Sequence, residues 1–201
     1  MKVYTRTGDD GTTGLFYGGR VRKDAPAPAA YGDVDEAQAH IGLARALAVD
    51  APSVPGGHGV FDEILVSLAR DLWVLMAELA TDPANHAKLN DGTTKVTGDM
   101  VVRLEHLIDS TSELFDPPTE FVVPGESVVA AQLDVARTVA RRAERSALGV
   151  EGVSAQVLAY LNRLSDLLWT LARWAEGQSL TARSAAAGDH ASGDSEEPSD
   201  G

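Results

Sequence analysis

The sequence predicts an all-α fold: a five-helix bundle, with a four-helix up-and-down core plus one helix, preceded by an irregular N-terminal arm. Three observations carry this. Five segments repeat apolar residues at i, i+3, i+4 and i+7, the spacing of a single helix face. Clusters of Pro, Gly, Asn and Asp fall between those segments. Outside them no helical period exists, and only Lys2-Val3-Tyr4-Thr5 suits a short extended piece.

From Met1 to about Lys23 the chain is rich in Gly, Thr and Arg, and a Pro/Ala connection follows over 24–30. The first helix is expected from about Asp33 to Val49, with Val34, Ala37, Ile41, Ala44 and Ala48 on one face. The second covers about Val60 to Leu79, where Phe61, Ile64, Leu65, Leu68, Leu72, Leu75 and Leu79 keep the period. Thr97 caps a third helix carrying Val101, Leu104, Leu107 and Ile108, and Ser127 caps a fourth running to about Leu148. The fifth starts near Ser154 and runs to about Glu176 on Val157, Leu161, Leu164, Leu168, Leu171 and Ala175. After Leu180 no large apolar residue remains, so the chain there cannot bury enough surface to offset its ordering entropy. The expected organisation is an arm over 1–30, a helical domain over 31–177 and a disordered acidic tail over 178–201.

A length of 201 residues suits one domain. Without cysteine the chain has no disulfide, thiolate metal ligand or cysteine nucleophile. The N-terminus lacks the apolar stretch of a signal peptide, and no run reaches the ~20 apolar residues of a membrane span. A cytoplasmic protein is expected. The net charge of −13 argues against nucleic-acid binding, which depends on neutralising phosphates. The cations nevertheless gather in two places. Arg6, Arg20, Arg22 and Lys23 lie in the arm, and Arg137, Arg141, Arg142 and Arg145 lie in the fourth helix.

Arg137, Arg141, Glu144 and Arg145 share one helix face. Three guanidiniums on one stripe repel unless a carboxylate or a bound anion lies between them. The stripe reads either as a surface ion-pair ladder or as a polyphosphate site. The fifth helix repeats the pattern with Asn162, Asp166, Trp169 and Arg173, read either as a self-satisfied interhelical network or as one wall of a ligand site. The arm, Tyr4-Thr5-Arg6-Thr7-Gly8-Asp9-Asp10-Gly11-Thr12-Thr13-Gly14, offers amides and hydroxyls to phosphate but is no Walker A loop. No Glu-x-x-His pair supports a di-iron bundle, and the five histidines do not cluster as zinc ligands.

Five motifs in order carry a family resemblance. They are TRTGDDGTTGLFYGGRVRKD at 5–24, AYGDVDE at 30–36, FVVPGES at 121–127, VARTVARRAERSA at 135–147 and YLNRLSDLLWTLARWA at 160–175. Over roughly residues 2–176 the chain resembles the PduO-type ATP:cob(I)alamin adenosyltransferases. Departures are Asp134 where His is common, Glu126 where Gly is common, and Tyr17 at a usually small position.

The resemblance implies a homotrimer with active sites between adjacent subunits. It implies transfer of the 5′-deoxyadenosyl group of ATP to cob(I)alamin, with Mg²⁺, releasing adenosylcobalamin and triphosphate. Carried over by position, the arm's ATP contacts are Thr5, Arg6, Thr7, Gly8, Thr13, Gly14 and Lys23. Those of the helices are Arg141, Arg142, Glu144, Arg145 and Asn162, with Arg141 stabilising the leaving triphosphate. An inter-subunit salt bridge maps onto Asp35 and Arg137. Phe121 walls the corrin face and excludes the lower axial ligand of cobalt, and Trp169 and Asp166 are the other expected corrinoid contacts. An alternative role is an escort that binds adenosylcobalamin and delivers it to a dependent mutase; a catalytically inactive interaction bundle is the third. A flavin-dependent reductase and an adenosylcobalamin-dependent mutase are the protein partners this activity implies.

Overall fold

A computed structural model describes residues 4–49 and 58–185. Its five long helices are α1 (Pro26–Ala48), α2 (His58–Leu79), α3 (Gly98–Ser112), α4 (Val128–Ala147) and α5 (Ala155–Glu176). Helix α4 packs between α1 and α5, while α2 lies on α1 and α3 on α5. No described helix is long and apolar enough to cross a membrane.

The sequence explains how the layers come together. Ala30, Ala37, Ala44 and Ala48 on α1 and Ala130, Ala136, Ala140, Ala143 and Ala147 on α4 are all buried. Small side chains on both faces let the two helix axes approach closely. Larger residues fill the remaining volume: Phe61, Leu65, Leu68, Leu72 and Leu75 of α2 meet Leu161, Leu164, Leu168 and Leu171 of α5 in one apolar cluster. A polar tie crosses this core. The buried Tyr160 hydroxyl donates to Asp71 Oδ2 at 2.8 Å, and Arg103 pairs with the same carboxylate. Burial pushes the Tyr160 hydroxyl well above its ordinary pKa, so it stays a proton donor.

The expected caps at Thr97 and Ser127 are present, accepting from the amides of Met100 and Ala130 at 3.4 and 3.1 Å. Ser154, expected only as the start of the fifth helix, caps it by accepting from Val157 N at 3.2 Å. Helix α1 begins seven residues before the expected Asp33, because Pro26 occupies its first turn, where a missing N–H costs nothing. The stretch over 24–30, expected as a connection, is therefore mostly helix. A short 3₁₀ helix, Pro83–Lys88, was not expected; Asp82 caps it by accepting from Ala84 N at 2.9 Å.

The arm is also more regular than expected. Thr12–Gly14 and Arg20–Arg22 form strands β1 and β2 of an antiparallel hairpin, pairing Thr12 with Arg22, Thr13 with Val21 and Gly14 with Arg20. The extended piece expected at 2–5 is absent from Tyr4 and Thr5, and residues 2 and 3 lie outside the described residues. Phe16 N donates to Ala80 O at 2.8 Å and docks the hairpin on the end of α2. Residues 178–185, expected to be disordered with the rest of the tail, instead return along the loop between α3 and α4 and form an isolated bridge, Thr181 with Val122. The expected disorder of 186–201 concerns residues outside those described.

Candidate functional site

Two ties between α4 and α5 define one polar face. At one end Asn162 Nδ2 donates to Glu144 Oε1 at 3.2 Å, and Arg163 Nη1 donates to Asn162 Oδ1 at 2.7 Å. At the other, Arg173 Nη2 donates to Asp134 Oδ2 at 2.7 Å. The antiparallel register fits: ten residues of α4 and eleven of α5 separate the ties, about 15 Å at 1.5 Å per residue.

Arg141 and Arg145 stand beside the Glu144–Asn162 end. Among the described residues neither guanidinium meets a carboxylate; Arg145 Nη1 donates back to the Arg141 carbonyl at 2.9 Å. Glu144 is thus spent on Asn162 rather than on the arginines, so the stripe is not an ion-pair ladder there. Arg137, one turn further, differs: its Nε donates to Asp134 Oδ1 at 3.0 Å. Arg142 lies on another face. It is held by Asp33 (Nε to Oδ1, 2.9 Å) and by Glu36. The Asp33 hydrogen bond, helped by the Glu36 charge, raises its pKa further against slight desolvation. Arg142, an ATP contact implied by the resemblance, is thus engaged by acids of α1 and stands apart from the stripe of Arg137, Arg141 and Arg145.

The arm forms a compact loop. A Cβ on Gly8 would lie 3.3 Å from Lys23 Nζ and 3.1 Å from the Thr12 carbonyl, so the Lys23 ammonium packs where only glycine leaves room. Thr5 and Thr7 hydroxyls are 2.8 Å apart. Arg6 adopts φ 63°, its guanidinium 5.5 Å from the Tyr4 ring centroid. Arg20 braces the loop, donating to Thr7 O at 2.6 Å and to Thr12 Oγ1. The Thr12 hydroxyl and amide hold the Asp10 carboxyl below its ordinary pKa. Thr13 and Gly14 sit in β1. No hydrogen bond or ion pair among the described residues joins this arm to Arg141, Glu144, Arg145 or Asn162 of the same chain.

The opposite end of the face opens into a depression of about 600 Å³, lined by Asp134, Arg137, Trp169 and Arg173 from the helices and by residues 118–122 and Pro124 from the loop. Phe121 stands on its rim, 89% exposed. The Arg173 guanidinium lies 5.9 Å from the Trp169 ring centroid. Its side chain is 2% exposed and its Nε sits 2.9 Å from Glu176 Oε1, a contact of charge without hydrogen-bond geometry. Burial raises the Glu176 pKa above its ordinary value, against the Ser179 hydrogen bond and the Arg173 charge.

Of the expected corrinoid contacts, Phe121 and Trp169 meet in this depression. Asp166 is exposed, one turn away from Trp169, and does not line it. The expected Asp35–Arg137 pair is not made within one chain: Asp35 is exposed, and Arg137 is engaged by Asp134. The buried Asp134–Arg173–Glu176 cluster was absent from the expected site. Its signal was the continuation of the Asn162–Asp166–Trp169 stripe to Arg173, and the unusual acid at Asp134 is its counter-charge. Tyr17, another departure, sits at φ 62° beside Gly18 and Gly19 at φ 100° and 93°. A left-handed position of this kind favours residues without a bulky side chain.

The sequence profile of the family described as cobalamin adenosyltransferase matches residues 3–175. A corrinoid adenosyltransferase from Citrobacter freundii is 37% identical over 175 residues, covering 86% of this chain and 93% of the relative. One from Mycobacterium bovis is 41% identical over 177 residues, covering 86% and 87%. A single-residue variant of a PduO-type ATP:corrinoid adenosyltransferase from Lactobacillus reuteri, complexed with cobalamin and ATP, superposes with a TM-score of 0.79 at 30% identity, covering 90% of this chain and 97% of that one. Sequence and fold agree along nearly the whole helical domain and arm, and the chain belongs to the family of PduO-type cobalamin (ATP:corrinoid) adenosyltransferases.

Proposed function

We propose that the chain transfers the 5′-deoxyadenosyl group of ATP to cob(I)alamin, yielding adenosylcobalamin and triphosphate, at sites shared between adjacent copies of a homotrimer. One observation carries the reading. A single α4–α5 face presents guanidiniums that meet no carboxylate among the described residues, at Arg141 and Arg145, and the depression edged by Phe121 and Trp169 lies along it. Seven residues of α5 separate Asn162 from Trp169, about 10 Å. That spacing suits a nucleotide whose triphosphate lies at one end while its C5′ faces a corrin at the other.

The chemistry asks little covalent work of the protein. The cobalt(I) lone pair attacks C5′, the C5′–O bond breaks, and the electron pair leaves with triphosphate. What the chain supplies is alignment and charge. Arg141, Arg145 and Lys23, with the arm's amides and the Thr5, Thr7 and Thr13 hydroxyls, neutralise the departing oxygens; Asn162 orients Glu144. Phe121, on the rim of the depression, would exclude the lower axial ligand of the bound corrinoid and so ease reduction of cobalt(II) to cobalt(I). Mg²⁺, held mainly through substrate phosphates and water, would supply further neutralisation, and Glu144 is the carboxylate beside Arg141 and Arg145 that would meet it. Among the described residues no group of three His, Asp or Glu side chains forms a cage for it.

Sharing between copies is supported by two features of the single chain. Among the described residues the arm makes no hydrogen bond or ion pair with the α4 stripe, Asp35 is exposed, and Arg137 is held by Asp134 alone. A neighbouring copy would supply Arg137 with its second acid. The test is anaerobic: purified protein, ATP, Mg²⁺ and chemically reduced cobalamin, followed by loss of cob(I)alamin absorbance. ATP-dependent adenosylcobalamin is expected; its absence overturns the reading.

A further inference from the structure

The loop between α3 and α4 carries Phe121 far into solvent, and little of its own structure holds it there. Between residues 116 and 126, among the described residues, both backbone hydrogen bonds and the one ion pair go to the segment that follows α5. Val123 N donates to Leu180 O at 2.8 Å and Ala182 N donates to Phe121 O at 2.9 Å. Arg183 Nη1 lies 3.3 Å from Glu120 Oε1.

The segment is itself anchored at both ends. At its root Gly177, at φ 71°, ends α5, and the Ser179 hydroxyl donates to the Glu176 carboxylate. That carboxylate has no exposed side-chain surface and belongs to the cluster with Arg173 and Asp134 that borders the depression. At its far end Thr181 and Ser184 cap one another. Thr181 N donates to Ser184 Oγ at 3.1 Å, and Ser184 N to Thr181 Oγ1 at 3.3 Å.

We propose that residues 178–185 form a strap that positions Phe121, so that the stance of the ring beside Trp169 is set from the C-terminal side of the bundle. The inference rests on the proposed function, because it gives that ring its task. The physical basis is preorganisation. A loop with three prolines and no regular pairing of its own samples many backbone states. Two hydrogen bonds immediately after the Phe121 side chain, at its own carbonyl and at the Val123 amide, select one state before the corrinoid arrives, so ordering is not charged against binding. The strap's residues touch no reacting atom; they are positioning residues.

Three variants test it. Deleting 178–201 removes strap and tail, and deleting 186–201 removes the tail alone. Ala182→Pro removes only the N–H donated to Phe121; proline is tolerated at the first position of the helical turn it begins. The first reading is hydrogen exchange over 119–126 by mass spectrometry, with chymotryptic cleavage after Phe121 alongside. Exchange at Val123 should rise at least tenfold on deleting 178–201, rise less with Ala182→Pro, and stay unchanged on deleting 186–201. Unchanged exchange in both of the first two overturns the strap, whatever the activity. The second reading compares turnover from preformed cob(I)alamin with turnover from cob(II)alamin plus a reductant. Deleting 178–201 and Ala182→Pro should lower the cob(II)alamin-dependent rate at least tenfold and the cob(I)alamin rate less than threefold. Equal losses in both assays, with raised exchange, overturn the positioning role. A wild-type protein that makes no adenosylcobalamin overturns the proposed function instead and leaves the strap to the exchange result.

Discussion

Arg141 and Arg173 show how burial divides two arginines of the same face. Arg141 is exposed and meets no carboxylate among the described residues, so Arg141→Ala orphans no charge there. We expect the variant to keep its melting temperature within a degree or two and to lose about 10²-fold in turnover, the size of a lost donor to a developing anion. Near-wild-type turnover would remove Arg141 from the phosphate site. Arg173 is 2% exposed against Asp134 and Glu176. Its replacement by Ala strands two carboxylates, and a loss of about 3–5 kcal/mol in urea-denaturation stability is expected. Glu176 adds a pH dependence. Its folded pKa lies above the ordinary 4.5, raised chiefly by burial. The folded chain therefore holds that proton more tightly than the unfolded chain. Its contribution is full below 4.5 and is lost as pH rises through the raised value. Asp10 behaves oppositely: the Thr12 hydrogen bonds lower its pKa, so its contribution is present above 3.8 and is lost as pH falls through the lowered value. Glu176→Gln should flatten the stability profile just above pH 4.5, checked by thermal melts across pH 4–7; an unaltered slope there contradicts the assignment.

At the scale of elements, the caps and connections divide by the range of their causes. Ser127 caps α4 where the Phe121 loop ends, and Ser127→Ala should cost about 1 kcal/mol, a fall of about 2–4 °C in melting temperature. A melt unchanged within error would mean the cap adds nothing. That cap, like those at Thr97 and Ser154, is legible because donor and acceptor are three residues apart. The β1–β2 hairpin is not. Its strands are three residues each, TTG and RVR, without an apolar alternation. They are held by the turn at Tyr17–Gly19 and by Phe16 docking on Ala80, a contact across more than sixty residues. The early start of α1 was legible in principle, since Pro26 and Pro28 fit a first helical turn; reading 24–30 as a connection placed the boundary too late.

At the scale of the molecule, the proposed function calls for a site shared between copies of the chain. Sedimentation equilibrium should return three copies. Asp35→Arg should lower activity at fixed protein concentration through loss of the inter-subunit pair, and a monomer with full activity would contradict the shared site. The net charge of −13 does not oppose a triphosphate, because Arg141 and Arg145 meet no carboxylate while Glu144 is engaged by Asn162. Arg142 illustrates what a charge run conceals: the four arginines of α4 read alike by composition, yet this one is paired with Asp33 and Glu36 on α1.

The sequence by itself determined the five helices, their caps, the apolar faces and the order of motifs that mark the family. Each of these depends on residues within a few positions of one another. The tertiary structure alone decided which arginines remain without acids, that Trp169 and Phe121 share a depression, that Asp134 meets Arg173, and that the segment after α5 returns to the Phe121 loop. Those outcomes rest on pairs separated by tens of residues, such as Arg142 with Asp33 and Ala182 with Phe121. Local spacing and propensity carry no record of such pairs; only the packing of the bundle selects them.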